Sequence, residues 1–398
     1  MLKGKFVILG VSGSIAAYKS ATLASMLVKS GCTVQVIMTK NATNIINPIC
    51  FETLTGRKCL VETFDRDFEF SVEHVSIAKQ AGLFMIAPAT ANVIAKVANG
   101  LADDMLTTTF LACDCPKLIA PAMNTRMLEN KVTQDNLKKC ADYGMKIIDS
   151  DSGYLACGDT GKGKLPEPET LFAFIENEIS HQKDLRGKKI LVTAGPTQES
   201  LDPVRYITNH SSGKMGYAIA KVAASRGADV TLVSGPVNLP ELLFVKTVHV
   251  VSAAQMADAV KKEFPDCDIV IKAAAVADYR PAKVSDEKIK KHDGDSVLEL
   301  ERTEDILAYI GKNKKPNQFV CGFSMETQNM LENSKAKLEK KNLDMVCANS
   351  LRTDGAGFGG DTNVVTLITK DSVTELPKMS KEDVAEKILD ATIIERGR

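Results

Sequence analysis

Two tandem α/β domains, each a mostly parallel sheet covered by helices, are what this sequence predicts, and three observations predict them. Short apolar, β-rich runs alternate with amphipathic stretches from the N-terminus onward. The alternation starts afresh after the charged stretch HQKDLRGKK at 181–189. The 398 residues also exceed what one hydrophobic core usually supports. Strands that alternate with helices favour parallel pairing, because a crossover helix brings each strand back alongside the last. Such sheets bind ligands beyond the carboxyl ends of their strands, so chemistry is to be sought in the loops that follow strands.

In the first half the predicted strands are KFVILGV, TVQVIMT, LFMIAPA, PKLIAPA and MKIIDS, with helix-like SATLASMLVKSG and QDNLKKCADYG between them. In the second half ILVTAGPT, DVTLVSGP and CDIVIKAAA are the strands, and GKMGYAIAKVAASRG and SAAQMADAVKKEF the helices. This parse gives domains at 1–183 and 184–398, with no short-period repeat and no low-complexity tract.

Lys plus Arg and Asp plus Glu balance at 50 each, so no global field argues for nucleic acid or an anionic membrane, and charged ligands must be held by local clusters. No apolar run reaches the roughly 20 residues of a membrane-spanning helix. The opening MLKGKFVILGVSGSIAAYK resembles a signal peptide at a glance, but its glycines and Lys19 fit a buried strand feeding a helix, and a cytoplasmic protein is expected. Among the ten cysteines there is no C-x-x-C, and Cys113 and Cys115 have a spacing that zinc sites rarely use; most are expected to be reduced core residues.

Several loops carry the chemical signal. GVSGSIAAYKS at 10–20 links the first strand to the first helix and could hold a phosphate at the positive helix end, although its glycines do not complete G-x-G-x-x-G. APATAN at 87–92 and APAMNTRM at 120–127 offer hydroxyls and amides at two further strand ends. GDTGKGK at 158–164 has P-loop spacing, yet Leu165 stands where a Ser or Thr is needed, and the loop leads into Pro166 and Pro168 instead of directly into a helix. Gly158, Gly161 and Gly163 read instead as hinges of a flap that carries Cys157. In the second half TAGPTQESLDPVRYITNHSSGKMG at 193–216 is a dense run of turn formers whose end opens a helix, again an anion site in outline.

Together with His74 in VEHVSIAK and ACGD at 156–159, the first-half loops resemble the flavin-binding cysteine decarboxylase family. The resemblance implies a flavodoxin-like domain with FMN around Gly13, Ser14, Thr39, Pro88, Ala89 and Thr90, and substrate held by Asn124 and Met127. It places Cys157 as proton donor and His74 as an assistant in oxidation and decarboxylation. A flavin suits the chemistry: direct decarboxylation of an N-acyl cysteine leaves an unstabilised carbanion. Oxidising CH2–SH to C=S puts an electron sink beta to the carboxylate.

The second half, with AAAVADYRP at 273–281, EKIKK at 287–291, GFSMET at 322–327 and KKNLDMVCAN at 340–349, resembles phosphopantothenate-cysteine ligases. This implies a Rossmann-like domain that activates the phosphopantothenate carboxylate with CTP and Mg2+ before cysteine attacks. Nucleotide binding falls to Ala273, Ala274, Asp278, Lys288, Asp305, Ile306, Phe323, Lys337 and Lys341, with Lys288 facing the triphosphate. Lys337 and Lys341 are four apart and share a helix face. Asn209 would act on the acyl-cytidylate, Ser211, Ser212, Gly213 and Lys214 would bind substrate, and His210 is peripheral. Ser324-Met325 departs from the Ala-Ala common in related sequences.

The whole chain thus resembles the bifunctional decarboxylase/ligase family of coenzyme A synthesis. The resemblance implies trimeric decarboxylase and dimeric ligase domains, hence a homo-dodecamer. A flavin-binding regulatory protein and a flavin prenyltransferase remain the alternatives; neither explains the second domain.

Overall fold

The computed structural model describes residues 2–64, 73–154, 158–290, 297–326, 329–350 and 359–396. The chain divides into two compact units, Met1–His181 and Gln182–Arg398.

Unit 1 runs through β1 (Phe6–Val11), α1 (Ala17–Lys29), β2 (Thr33–Met38), α2 (Pro48–Thr55), α3 (Glu73–Gln80), β3 (Leu83–Ala89), α4 (Ala91–Asn99) and α5 (Met105–Ala112). It continues with β4 (Lys117–Pro121), α6 (Thr125–Glu129), α7 (Lys131–Asp142), β5 (Lys146–Ile147), β6 (Asp151–Tyr154), β7 (Thr160–Lys164) and α8 (Pro168–Ile179). The sheet is parallel in the order β2-β1-β3-β4-β5, the flavodoxin-like arrangement. Along β1, Val7, Leu9 and Val11 enter one core layer with Leu23 and Leu27 of α1, while Ile8 enters the opposite layer with Phe84 and Ile86. A strand buried on both faces must be apolar at successive positions, which is why these strands read as unbroken runs. Lys19, which breaks the signal-peptide pattern, is a buried tie: its ammonium donates to Leu165 O at 2.8 Å and pairs with Glu167 at 2.9 Å.

The stretch with P-loop spacing is a strand. β6 and β7 pair as an antiparallel hairpin, and Gly161 and Gly163 lie on it where β7 crosses the segment after β4. Met123 N donates to Gly163 O at 3.1 Å and Thr125 Oγ1 to Lys162 O at 2.7 Å. A Cβ on Gly163, whose φ is +123°, would collide with the Met123 carbonyl, and one on Gly161 would come within 2.5 Å of Thr125 Oγ1. These two glycines therefore permit a close approach, in place of the hinge role expected from sequence.

Unit 2 runs through β8 (Lys189–Ala194), β9 (Gln198–Ser200), β10 (Tyr206–Thr208), α9 (Lys214–Ser225), β11 (Asp229–Ser234), β12 (Lys246–His249), α10 (Ala253–Glu263), β13 (Ile269–Lys272), β14 (Tyr279–Pro281) and β15 (Leu300–Arg302). Then follow α11 (Ile306–Asn313), β16 (Phe319–Glu326), α12 (Met330–Lys340), β17 (Met345–Ser350), β18 (Thr362–Asn363), β19 (Thr366–Thr369), β20 (Val373–Glu375) and α13 (Lys381–Arg396). Its main sheet has the order β12-β11-β8-β13-β16-β17-β19-β20, in which β19 runs antiparallel to both of its neighbours, β17 and β20. The first six strands are parallel and Rossmann-like, and their order reverses between β8 and β13, opening a crevice beyond their carboxyl ends.

Two helices lie unusually close to neighbouring backbone. A Cβ on Gly216 of α9 would approach Ala194 Cβ to 2.5 Å, and one on Gly311 of α11 would collide with the Lys341 carbonyl.

Candidate functional sites

In unit 1 the expected flavin residues converge at the carboxyl ends of β1, β2 and β3. Ser12 Oγ donates to Pro88 O at 2.8 Å and accepts from Thr90 N at 3.0 Å, so the loop after β1 is locked to the loop after β3. Pro88 and Ala89 end β3, and Thr90 caps α4. Gly13 and Ser14 follow directly, with Ser14 N donating to Ser12 O at 2.8 Å ahead of α1. Thr39 directly follows β2, its amide bound to Val11 O at 3.0 Å. Its hydroxyl is buried without a hydrogen-bond partner among the described residues. Buried hydroxyls rarely stay unsatisfied, so this one fits a site that receives a polar ligand such as a flavin phosphate or ribityl chain.

Asn124 caps α6 through Arg126 N at 2.9 Å, and its Nδ2 approaches Asp159 at 3.4 Å, beside the hairpin. Met127 is half exposed on α6. His74 sits half-buried in the first turn of α3, whose Ile77 and Ala78 enter the core; no hydrogen bond joins it to the other expected groups among the described residues. Cys157 lies outside the described residues.

In unit 2 a cavity of about 520 Å³ opens at the crevice, within the range of roughly 300–1,000 Å³ typical of small-molecule sites. Asn209, Ser211, Ser212, Gly213 and Lys214 line it ahead of and into α9, and Ala273, Ala274 and Asp278 line it after β13. Asp305 and Ile306 next to and at the start of α11, Phe323 on β16, and Lys337 and Lys341 on and after α12 line it as well. His210, read as peripheral, lines it too.

Asn209 Nδ2 donates to Ala275 O at 3.3 Å and Val276 O at 3.1 Å, so the amide hydrogens wanted by an acyl oxygen are turned onto the strand-end loop in this state. Ala274 N donates to Thr193 Oγ1 at 3.2 Å, tying that loop to β8. Asp305 caps α11 through Ala308 N at 3.0 Å and pairs with Lys341 at 2.9 Å. Burial raises its carboxyl pKa, but Lys341, the Ala308 amide and Lys272 together hold it below the usual range. Lys337 Nζ donates to Phe323 O at 2.8 Å.

Lys288 does not line this cavity. It is exposed on a loop pinned one residue later, where Arg205 Nη2 donates to Ile289 O at 2.7 Å and Ile289 N to Asp202 at 3.2 Å. Asp202 also pairs with Arg205, whose guanidinium lowers its carboxyl pKa far below the usual range.

Several lining residues were given no role in the sequence reading, Lys272, Lys381, Asn349 and Asn363 among them. Lys272 ends β13, and burial with the nearby Lys337 and Lys341 pushes its pKa down to about 8. Its signal was visible, a lysine terminating the apolar run DIVIK. Lys381 opens α13, lowered by burial and then by Lys214. Asn349 and Asn363 are 6% and 3% exposed, joined Nδ2 to Oδ1 at 3.0 Å, and the Asn349 carbonyl oxygen is buried without a partner among the described residues. Asn349 closes the motif KKNLDMVCAN but was given no role of its own, and nothing in the sequence context of Asn363 marked it. No group of three or more His, Cys, Asp or Glu side chains gathers among the described residues.

Residues 1–180 match the family described as "Flavoprotein", and residues 185–395 match "DNA/pantothenate metabolism flavoprotein C-terminal domain". The chain is 47% identical over 393 residues to the "Coenzyme A biosynthesis bifunctional protein CoaBC" of Bacillus subtilis, covering 98% of this chain and 97% of that protein. It is 46% identical over 390 residues to the protein of the same name from Vibrio cholerae, covering 98% of each. For that of Escherichia coli K12 the identity is 43% over 395 residues, with 98% and 97% covered.

Proposed function

Because this chain belongs to the family of coenzyme A biosynthesis bifunctional proteins, matched end to end by both of its domains, we propose how its residues divide the work. The chain is a phosphopantothenoylcysteine decarboxylase, residing in the flavoprotein unit, and a phosphopantothenate-cysteine ligase, residing in the C-terminal unit.

In unit 1 the flavin is FMN. The loop at Gly13 and Ser14 at the head of α1 takes its phosphate, and Thr39, Pro88, Ala89 and Thr90 hold it against the strand ends; the unpartnered Thr39 hydroxyl supports this placement. A bound flavin would accept two electrons as the substrate's CH2–SH becomes C=S, which gives the departing carboxylate's electrons a sink, and would return them as hydride to the enethiolate left by loss of CO2. Asn124 and Met127 orient the substrate, His74 serves proton transfer, and Cys157 returns a proton to the product carbon.

In unit 2 the single most telling observation is the cavity at the strand-order reversal, where lysines from β13, α9, α12 and α13 face one space. A phosphorylated carboxylic acid and a nucleoside triphosphate are polyanions, and such a cluster suits them. The carboxylate of phosphopantothenate attacks the α-phosphorus of CTP; pyrophosphate leaves, and the amine of cysteine then displaces CMP from the acyl-cytidylate. Mg2+ enters with the triphosphate as part of the substrate. The amides of Ser211–Gly213 and Lys214 bind the phosphorylated acid, and Asn209 turns from Ala275 and Val276 to polarise the acyl oxygen. Lys288 reaches the triphosphate only by movement of its loop.

The chain works in the cytoplasm as a homo-dodecamer of trimeric decarboxylase and dimeric ligase parts. Exposed Ile15 and Tyr18, next to the flavin loop, support burial in a subunit contact. The deciding assay supplies phosphopantothenate, cysteine, CTP and Mg2+ to the full chain. Release of pyrophosphate, CO2 and phosphopantetheine is expected. Pyrophosphate without CO2 refutes the unit 1 reading alone, and ATP outperforming CTP refutes the nucleotide choice.

A further inference from the structure

Resting on the nucleotide reading of the unit 2 cavity, we propose that Lys272 receives the phosphate oxygens of the nucleotide and takes up a proton when they bind. Lys272 ends β13 and shares the cavity with Lys337 and Lys341. Those two are already engaged, Lys337 on Phe323 O at 2.8 Å and Lys341 on Asp305 at 2.9 Å. The ammonium of Lys272 makes no hydrogen bond or ion pair among the described residues.

The charges around it decide what it wants. Lys337 and Lys341 approach from α12, Asp305 from the head of α11, and Asp278 from the loop after β13. Farther around the same cavity stand His210 and Lys214 ahead of and in α9, Glu304 before α11, and Lys381 at the head of α13. Around Lys272 itself three ammonium groups meet two carboxylates, one of which is already spent on Lys341. A neutral base or a sugar hydroxyl would leave that repulsion in place, whereas a phosphate oxygen relieves it.

Burial, and then the neighbouring Lys337 and Lys341, push Lys272 down to about 8, so the free protein holds it partly neutral in mildly alkaline solution. An anion at this point favours the ammonium, and the bound state therefore carries more proton than the free state. The sign follows: above about pH 8 binding takes up protons, and affinity falls as pH rises.

Calorimetric titration of the full chain with CTP, with pyrophosphate alone and with cytidine alone tests this at about pH 7 and about pH 9, in pairs of buffers that differ in ionisation enthalpy. A K272R chain is the reference, since guanidinium stays charged throughout and the comparison cancels ionisation of the ligand itself. The unmodified chain should take up more protons than K272R on binding CTP or pyrophosphate at the higher pH, and should lose about tenfold more affinity across the range. A K272M chain should bind both about tenfold more weakly at the lower pH. Equal proton uptake by the unmodified and K272R chains overturns the proposal, as does unchanged pyrophosphate binding by a folded K272M chain, or excess uptake with cytidine alone. If K272M does not fold, the K272R comparison decides. Failure of the unmodified chain to bind CTP at all would sink the nucleotide reading itself, a different outcome from CTP binding that ignores position 272.

Discussion

At Thr39 a single hydroxyl separates what the fold needs from what a ligand needs. Thr39 follows β2, and its side-chain oxygen is buried without a partner among the described residues, a condition that costs about 1–3 kcal/mol. Thr39→Val keeps the shape and removes the orphan. The flavin-free chain should gain about 1 kcal/mol in denaturant unfolding, while flavin dissociates more readily by fluorescence. Unchanged flavin retention would take the hydroxyl out of the site. Side chains differed in how far sequence revealed them. Lys337 and Lys341 were singled out by the family resemblance, since their spacing of four alone fits a solvated helix face, and both line the cavity. Lys272 was passed over because it ends a run that reads as core. Lys288 was assigned by motif alone, and its anchoring through Ile289 to Asp202 and Arg205 depends on a turn 80-odd residues earlier, which no local pattern encodes.

The hairpin β6–β7 tests the reading of elements. Gly163→Ala should drive β7 off the segment at Met123–Thr125, since the added methyl has no room and the φ of +123° disfavours it. Decarboxylation by the full chain should collapse while pyrophosphate release by unit 2 persists; decarboxylation at the unmodified rate would show that the close seating is dispensable. The central strands of both sheets were legible because burial on two faces demands unbroken apolar runs. The hairpin was not, because its register comes from contact with the loop after β4 and its glycines serve that contact. β19 and β20 escaped for another reason: a run as short as TLIT says nothing of strand direction, which here is antiparallel to β17.

For the molecule as a whole, each compact unit has core layers on both faces of its own sheet. Two cooperative thermal transitions are therefore expected in calorimetry of the full chain. FMN should raise one and CTP with Mg2+ the other, each by mass action on the unit that binds it. One merged transition, or a ligand that shifts both equally, would contradict independent folding. The tandem organisation was the most legible feature, because the strand–helix alternation visibly restarts; which loops converge on one cavity required the strand order, which a linear pattern does not carry.

The tight seats at Gly216 and Gly311 bear on anyone who would engineer this chain for heat resistance. Glycine inside a helix is the standard first target for replacement by alanine, with an expected gain of about 1 kcal/mol at an unconstrained position. Here the two most tempting candidates are the wrong ones. Alanine at 216 would pry α9 from β8 beneath the Ser211–Gly213 loop, and alanine at 311 would displace the backbone that carries Lys341. Neither glycine belongs to the expected ligand-binding set, so a design protocol that freezes only such residues would trade catalysis for melting temperature unawares.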